Sequence, residues 1–156
     1  MKTLLKPLLI FMIGLFQIVT SAGQSKDVEA IKIVVAKETT SFMNVDYKNW
    51  ADTWLNATYS YWSYSDSTAT SYVEGWNAID NNFKDYFKSS KPSRATVTNE
   101  WQEIRVYGNG AYVRFVQKVK DDIDRDETSQ MRVLEKTKEG KWKVICVGAI
   151  AKYPKE

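Results

Sequence analysis

No histidine occurs anywhere in the 156-residue chain. The one side chain whose ordinary pKa lies between pH 5 and 8 is therefore missing. With it go every Ser–His–Asp or Cys–His arrangement and every histidine metal site. Cysteine is almost as scarce. Cys146 is the only one, so no disulfide can form within the chain, and stability has to come from an apolar core. Its setting in the run "KVICVGAI" reads as that of a small buried hydrophobe. There is no glycine-rich phosphate loop and no Cys/His ligand set, so no metal and no cofactor are expected. An excess of one charge is also lacking. Lys and Arg number 22 against 19 Asp and Glu, and the lysines are dispersed. That balance gives no electrostatic basis for binding nucleic acid or an anionic membrane.

What is present begins with a leader. Lys2 and Lys6 are followed by an apolar run from Leu8 to Val19 and by the small residues Ser21, Ala22 and Gly23. This is the layout of a secretory signal peptide over residues 1–23, with cleavage expected after Ala22 or Gly23. The run of about 12 residues is short of the roughly 20 that a membrane-spanning helix needs. Residues 24–156 are then expected as one secreted or periplasmic domain without membrane attachment. Removing two lysines and no acid lowers the net charge from +3 to +1. Asn56-Ala57-Thr58 matches a glycosylation sequon.

Periodicity divides that domain in two. From Lys26 to Met43 the residues Val28, Ile31, Val34, Val35 and Phe42 recur at helical spacing. Asp46 is placed to cap a short second helix carrying Tyr47, Trp50, Ala51 and Trp54 on one face. A third helix is expected from Gly75, with Trp76, Ile79, Phe83 and Phe87 in register, ending before Pro92. A strand is expected around Thr58 to Tyr64. Beyond Pro92 the period becomes two. "EWQEIRVY" and "AYVRFVQKV" flank Gly108-Asn109-Gly110, a hairpin signal, and "QMRVLEKT" and "KWKVICVGAI" flank Lys138-Glu139-Gly140. With Asn109-Gly110 as the first turn, Val106 would face Val113, Ile104 would face Phe115, and Arg105 would oppose Arg114. The last pairing is unfavourable unless an acid or a partner chain intervenes. The order gives an α+β fold, a cone-shaped curved antiparallel sheet packed against three helices of the N-terminal half. Its open end would form a concave site.

Three stretches carry a family resemblance: "DYKNWADTW" closing the helical pair, "SYVEGWNAI" entering the third helix, and "VLEKTKEGKWKVICVGAI" as a terminal strand pair. In this order they resemble the nuclear transport factor two-like superfamily, in its SnoaL-like and calmodulin-kinase-association-like branch, over Asp27 to Ile150. The resemblance implies a cone-shaped α+β barrel, frequent dimers through the outer sheet face, and a pocket put to varied uses. Catalytic members often use an Asp/His pair, or a tyrosine with a buried acid. Many carry two histidines in the last strand, where this chain has Cys146 and Gly148. Imidazole chemistry is thereby removed, while carboxylate chemistry remains open.

Candidate site residues come mainly from the aromatic stretch "YSYWSYSDSTATSYVEGW", Tyr59 to Trp76. In a strand, Tyr61 points one way and Trp62 and Tyr64 the other, so both faces would be covered. Six tryptophans and nine tyrosines are more ring surface than a small core needs, and their polar tips suit a half-wet concave site. The expected ligand pocket comprises Trp54, Tyr61, Trp62, Tyr64, Trp76, Phe83, Phe115, Gln117 and Arg132. An inward Arg132 would anchor a carboxylate through two parallel hydrogen bonds; its ordinary alternative is a solvated or dimer-face position. Glu38, Asp66 and Glu135 are the candidate bases. Glu38 lies on or beside the apolar face of the first helix, where its ordinary use is pairing with a lysine. The acidic run Asp121 to Glu127 lacks the mid-loop glycine and terminal glutamate of a calcium loop and reads as a solvated hairpin tip. The expected function is binding of a small apolar or aromatic ligand, with a homodimer through the outer sheet face. The alternatives are a SnoaL-like isomerase, lyase or hydrolase using a carboxylate and a tyrosine, or an assembly module.

Overall fold

The computed structural model describes residues 5–120 and 125–151. The elements are α1 (Leu5–Met43), α2 (Tyr47–Thr53), β1 (Tyr61–Ser65), β2 (Thr70–Glu74), α3 (Trp76–Ser89), β3 (Thr96–Tyr107), β4 (Gly110–Lys120), β5 (Arg125–Lys136) and β6 (Trp142–Ala151). One six-stranded sheet has the order β2-β1-β6-β5-β4-β3 and is curved without closing. With the helices in the N-terminal half, this is the expected α+β arrangement. Of the acidic run, residues 121–124 lie outside the described residues, as do residues 1–4 of the expected leader. Among the described residues, no helix is long and apolar enough to cross a membrane.

The helices sit where apolar spacing and capping put them. On α1, Ile31 and Val35 are fully buried and Phe42 packs against the same core, at steps that keep them on one stripe. Asp27 ties this helix to the sheet, accepting from Lys136 Nζ at 2.6 Å and Trp142 Nε1 at 3.0 Å. The helix ends in two tight backbone bonds, Asp46 N–H to the Ser41 carbonyl and Val45 N–H to the Phe42 carbonyl. That is the pattern in which glycine usually supplies a left-handed residue; here Val45 does so, at φ 57°. Asp46 caps α2 as expected, its carboxylate accepting from Asn49 N–H at 3.0 Å. Gly75 starts α3 at φ +83°, and a Cβ there would meet the Thr58 carbonyl oxygen at 3.3 Å, so both backbone and space call for glycine.

Three features of the sheet differ from the sequence reading. The two-residue turn is Gly108-Asn109, with Tyr107 opposite Gly110, so Val106 faces Ala111 and Ile104 faces Val113. The slip is by two residues, so Ile104, Val106, Ala111, Val113 and Phe115 still share the inner face. Arg105 opposes Tyr112, and Arg114 opposes Glu103. Arg105 also bonds Glu103 at 2.6 Å. The expected clash of two arginines does not exist, and its hint of a partner chain goes with it. Finally, β1 runs parallel to β6, and β2 folds back on β1 as an additional edge strand, so the sheet is mixed.

Candidate functional site

Strand pairing arranges the inner face of the sheet in rows of graded polarity. At the narrow end, Val106, Ala111, Leu134 and Val144 lie side by side, with Trp54 bridged to Val144. The next row is Ile104, Val113, Arg132, Val147 and Trp62. Then come Trp101, Phe115, Gln130, Ala149 and Tyr64, followed by Asn99, Gln117 and Thr128. The inner face is apolar at the narrow end and becomes polar toward the other, where Gln117, Thr128 and Gln130 are nevertheless buried. Between these strands and the helices is a cavity of about 220 Å³. Its helix-side wall is aromatic, formed by Phe42, Trp50 and Phe83 with Trp62 and Tyr64 from β1. Its β4–β5 wall is polar, formed by Gln117, Thr128, Gln130 and Arg132, with Glu38 and Thr39 entering from α1.

The polar wall is largely self-bonded. Glu38 accepts from Arg132 at 3.2 Å, from Trp50 Nε1 at 3.3 Å and from the Thr39 hydroxyl at 3.4 Å. The other terminal nitrogen of Arg132 donates to Gln130 Oε1 at 2.6 Å and to the Met131 carbonyl at 3.1 Å, and the guanidinium lies 5.4 Å from the Phe115 ring centroid. Gln130 donates on to the Thr128 hydroxyl at 2.6 Å, and Gln117 to Thr39 at 3.1 Å and Asn99 at 3.2 Å. Arg132 and Glu38 are 3% and 6% exposed, so this ion pair is inside the protein. Arg132 Nε has no partner among the described residues. Burial pushes the Tyr64 hydroxyl up from its ordinary pKa, helped by the nearby charges of Asp126 and Asp66. It is therefore a neutral donor at the open end.

Of the expected pocket residues, Trp62, Tyr64, Phe83, Gln117 and Arg132 line this cavity. Four do not. Trp54 is buried beneath Trp50 at 6.0 Å, and Trp76 packs against the same ring at 5.6 Å. Phe115 is fully buried under Arg132 and Trp101. Tyr61 is on the outer sheet face, stacked on Tyr72 at 6.2 Å. Aromatic residue type alone does not separate a cavity wall from the layer behind it. The sequence reading left Phe42 and Trp50 among helix-packing residues, although the clustering of rings at helical steps was already visible.

The candidate bases also separate. Glu38 pairs with Arg132, not with a lysine. Asp66 accepts from Thr68 and Ala69 within a turn, which holds its carboxyl below the usual range. Glu135 accepts from the exposed Tyr59 hydroxyl at 2.9 Å, away from the cavity.

These features define a cone-shaped α+β domain with a cavity between its helices and its curved sheet. The fold is that of the nuclear transport factor 2-like proteins. An NTF-2 like protein of unknown function from Shewanella oneidensis MR-1 matches it with a TM-score of 0.63 at 13% identity, over 80% of this chain and 98% of that one. A ketosteroid isomerase-like protein from Erwinia carotovora atroseptica SCRI1043 matches with a TM-score of 0.60 at 13% identity, over 81% and 96%. An NTF2-like protein of unknown function from Shewanella baltica OS155 matches with a TM-score of 0.61 at 18% identity, over 83% and 97%. No protein-family model and no curated protein sequence matches the chain.

Proposed function

We propose that this is a secreted or periplasmic domain that binds a small, largely apolar or aromatic ligand in the cavity. The observation that carries the reading is the cavity's division into a wall of rings and a wall of hydrogen-bonding side chains. Rings supply contact area, and a few fixed polar groups supply orientation. The leader-like pattern of residues 1–23 supports secretion. The outer sheet face supports a homodimer, since Tyr72, Met131 and Ile150 are exposed there. An isomerase-like neighbour keeps an enzymatic use in view. Glu38 does not supply the carboxylate–tyrosine pair such a use expects, because its partners among the described residues are Arg132, Trp50 and Thr39.

The test is a thermal-shift screen with small aromatic compounds, repeated on Trp62→Ala. A ligand at 100 times its dissociation constant stabilises the folded state by about 2.7 kcal/mol. The shift should vanish in Trp62→Ala, whose lost ring is part of the wall. A shift that survives Trp62→Ala, or a wild type stabilised by nothing, would rule the cavity out as the ligand site.

A further inference from the structure

We infer that the preferred ligand is a neutral compound with a single ring and one hydrogen-bonding edge, and that the cavity selects against carboxylates despite its arginine. The inference rests on reading the cavity as a ligand site and specifies what that site accepts.

Size comes first. A dry cavity of about 150 Å³ is enough to hold benzene. The cavity of about 220 Å³ therefore has room for one ring with a small substituent within its walls, and a ligand of several fused rings would project through its open end. The two walls then set the ligand's shape. Trp62 and Phe83 meet edge to face at 5.0 Å, so a ligand ring that stacks on one meets the other edge-on. The ligand's polar edge meets the β4–β5 wall, where the Gln117 and Gln130 amide nitrogens already bond to Thr39, Asn99 and Thr128, so the Gln117 carbonyl oxygen and the Thr128 hydroxyl proton are the acceptor and donor on offer.

Charge decides the rest. The charged residues lining the cavity are Glu38, Arg132 and Asp126, with a formal sum of one negative charge. The buried guanidinium is already neutralised by Glu38 at 3.2 Å, and its other terminal nitrogen is committed to Gln130 and the Met131 carbonyl. The side of Arg132 left without a partner among the described residues is its buried Nε, next to the nitrogen that already donates to Glu38, so a carboxylate reaching it would have to share the guanidinium with Glu38. It would also leave Glu38 and the ligand as two buried negative charges sharing one positive one, an unfavourable arrangement. A neutral carboxamide or phenol has the same reach and brings no charge.

The test is titration calorimetry of the purified protein with benzamide, benzoate and anthracene-9-carboxamide. Benzamide should bind, and benzoate at least about tenfold more weakly; the three-ring amide should also bind more weakly than benzamide. Glu38→Gln removes the counter-charge and should turn the preference toward benzoate. Because that variant also disturbs a buried pair, the wild-type ratio of benzamide to benzoate carries the test by itself. Benzoate binding as tightly as benzamide, or the three-ring amide binding as well as the one-ring amide, would overturn the inference and leave the cavity reading standing. If none of the three binds, both fall.

Discussion

Replacing Arg132 by methionine removes one member of an ion pair whose side chains are 4% and 8% exposed. Among the described residues, Glu38 then keeps the Trp50 indole at 3.3 Å and the Thr39 hydroxyl at 3.4 Å as partners. Both bonds are long for a carboxylate acceptor. Breaking a buried pair on one side costs about 3–5 kcal/mol, because the surviving charge is stranded out of water. Total stability for a domain is about 5–15 kcal/mol, so the loss is a large share of it. At roughly 4 °C per kcal/mol for a domain of this size, the melting temperature should fall by about 12–20 °C. The pair's own net worth is a separate quantity. Replacing both partners, as in Glu38→Leu with Arg132→Met, removes the stranded charge and should cost less than either single change. Urea unfolding of the wild type, the two single variants and the double variant gives the four values. An Arg132→Met cost below about 1 kcal/mol, or a double variant whose loss equals the sum of the single losses, would refute the description of a dry, coupled pair at the cavity wall.

Two further perturbations probe the frame around the cavity. Val45→Gly should stabilise the protein by about 1 kcal/mol in urea unfolding, since a branched residue is held at φ 57° at the end of α1; a net loss would mean that packing by the valine outweighs its strain. Asp27→Asn should flatten the acid limb of the stability profile. The hydrogen bond from Lys136 holds the Asp27 carboxyl below its ordinary range, against the upward pull of burial. The stability from this contact is therefore present above the unfolded-state value of about 3.9 and is lost as pH falls through the lower folded-state value. Melting temperatures between pH 2 and 5 check this, and an unchanged slope in the variant would show that the contact does not persist in solution.

Local signals in the sequence carried most of the fold. Asp46 and Gly75 marked helix starts because a free backbone N–H needs an acceptor and a positive φ needs glycine. The switch of period after Pro92 marked the sheet. What was not legible depends on contacts distant in sequence. β2 is mostly exposed, so "TSYVE" shows little apolar alternation to announce an edge strand. The parallel pairing of β1 with β6 joins Trp62 to Val147, and no turn residue encodes it. The site divides in the same way. Trp62, Tyr64 and Phe83 were visible as rings in a strand and a helix. The partner of Arg132 was not, because Glu38 lies 94 residues away and a glutamate beside an apolar stripe looks like a boundary residue. That pairing changes the meaning of Arg132 from an anion anchor to a neutralised part of the wall.

Occupancy of the cavity can be read from the tryptophan indole N–H signals in a nitrogen–proton correlation spectrum during titration with benzamide. Trp50 and Trp62 line the cavity, whereas the Trp142 indole is bonded to Asp27 outside it. Saturable shifts of the Trp50 and Trp62 signals, with Trp142 unmoved, are the expected result. Saturable binding that moves Trp142 and leaves Trp50 and Trp62 in place would put the ligand elsewhere and contradict the assignment of this cavity as the binding site.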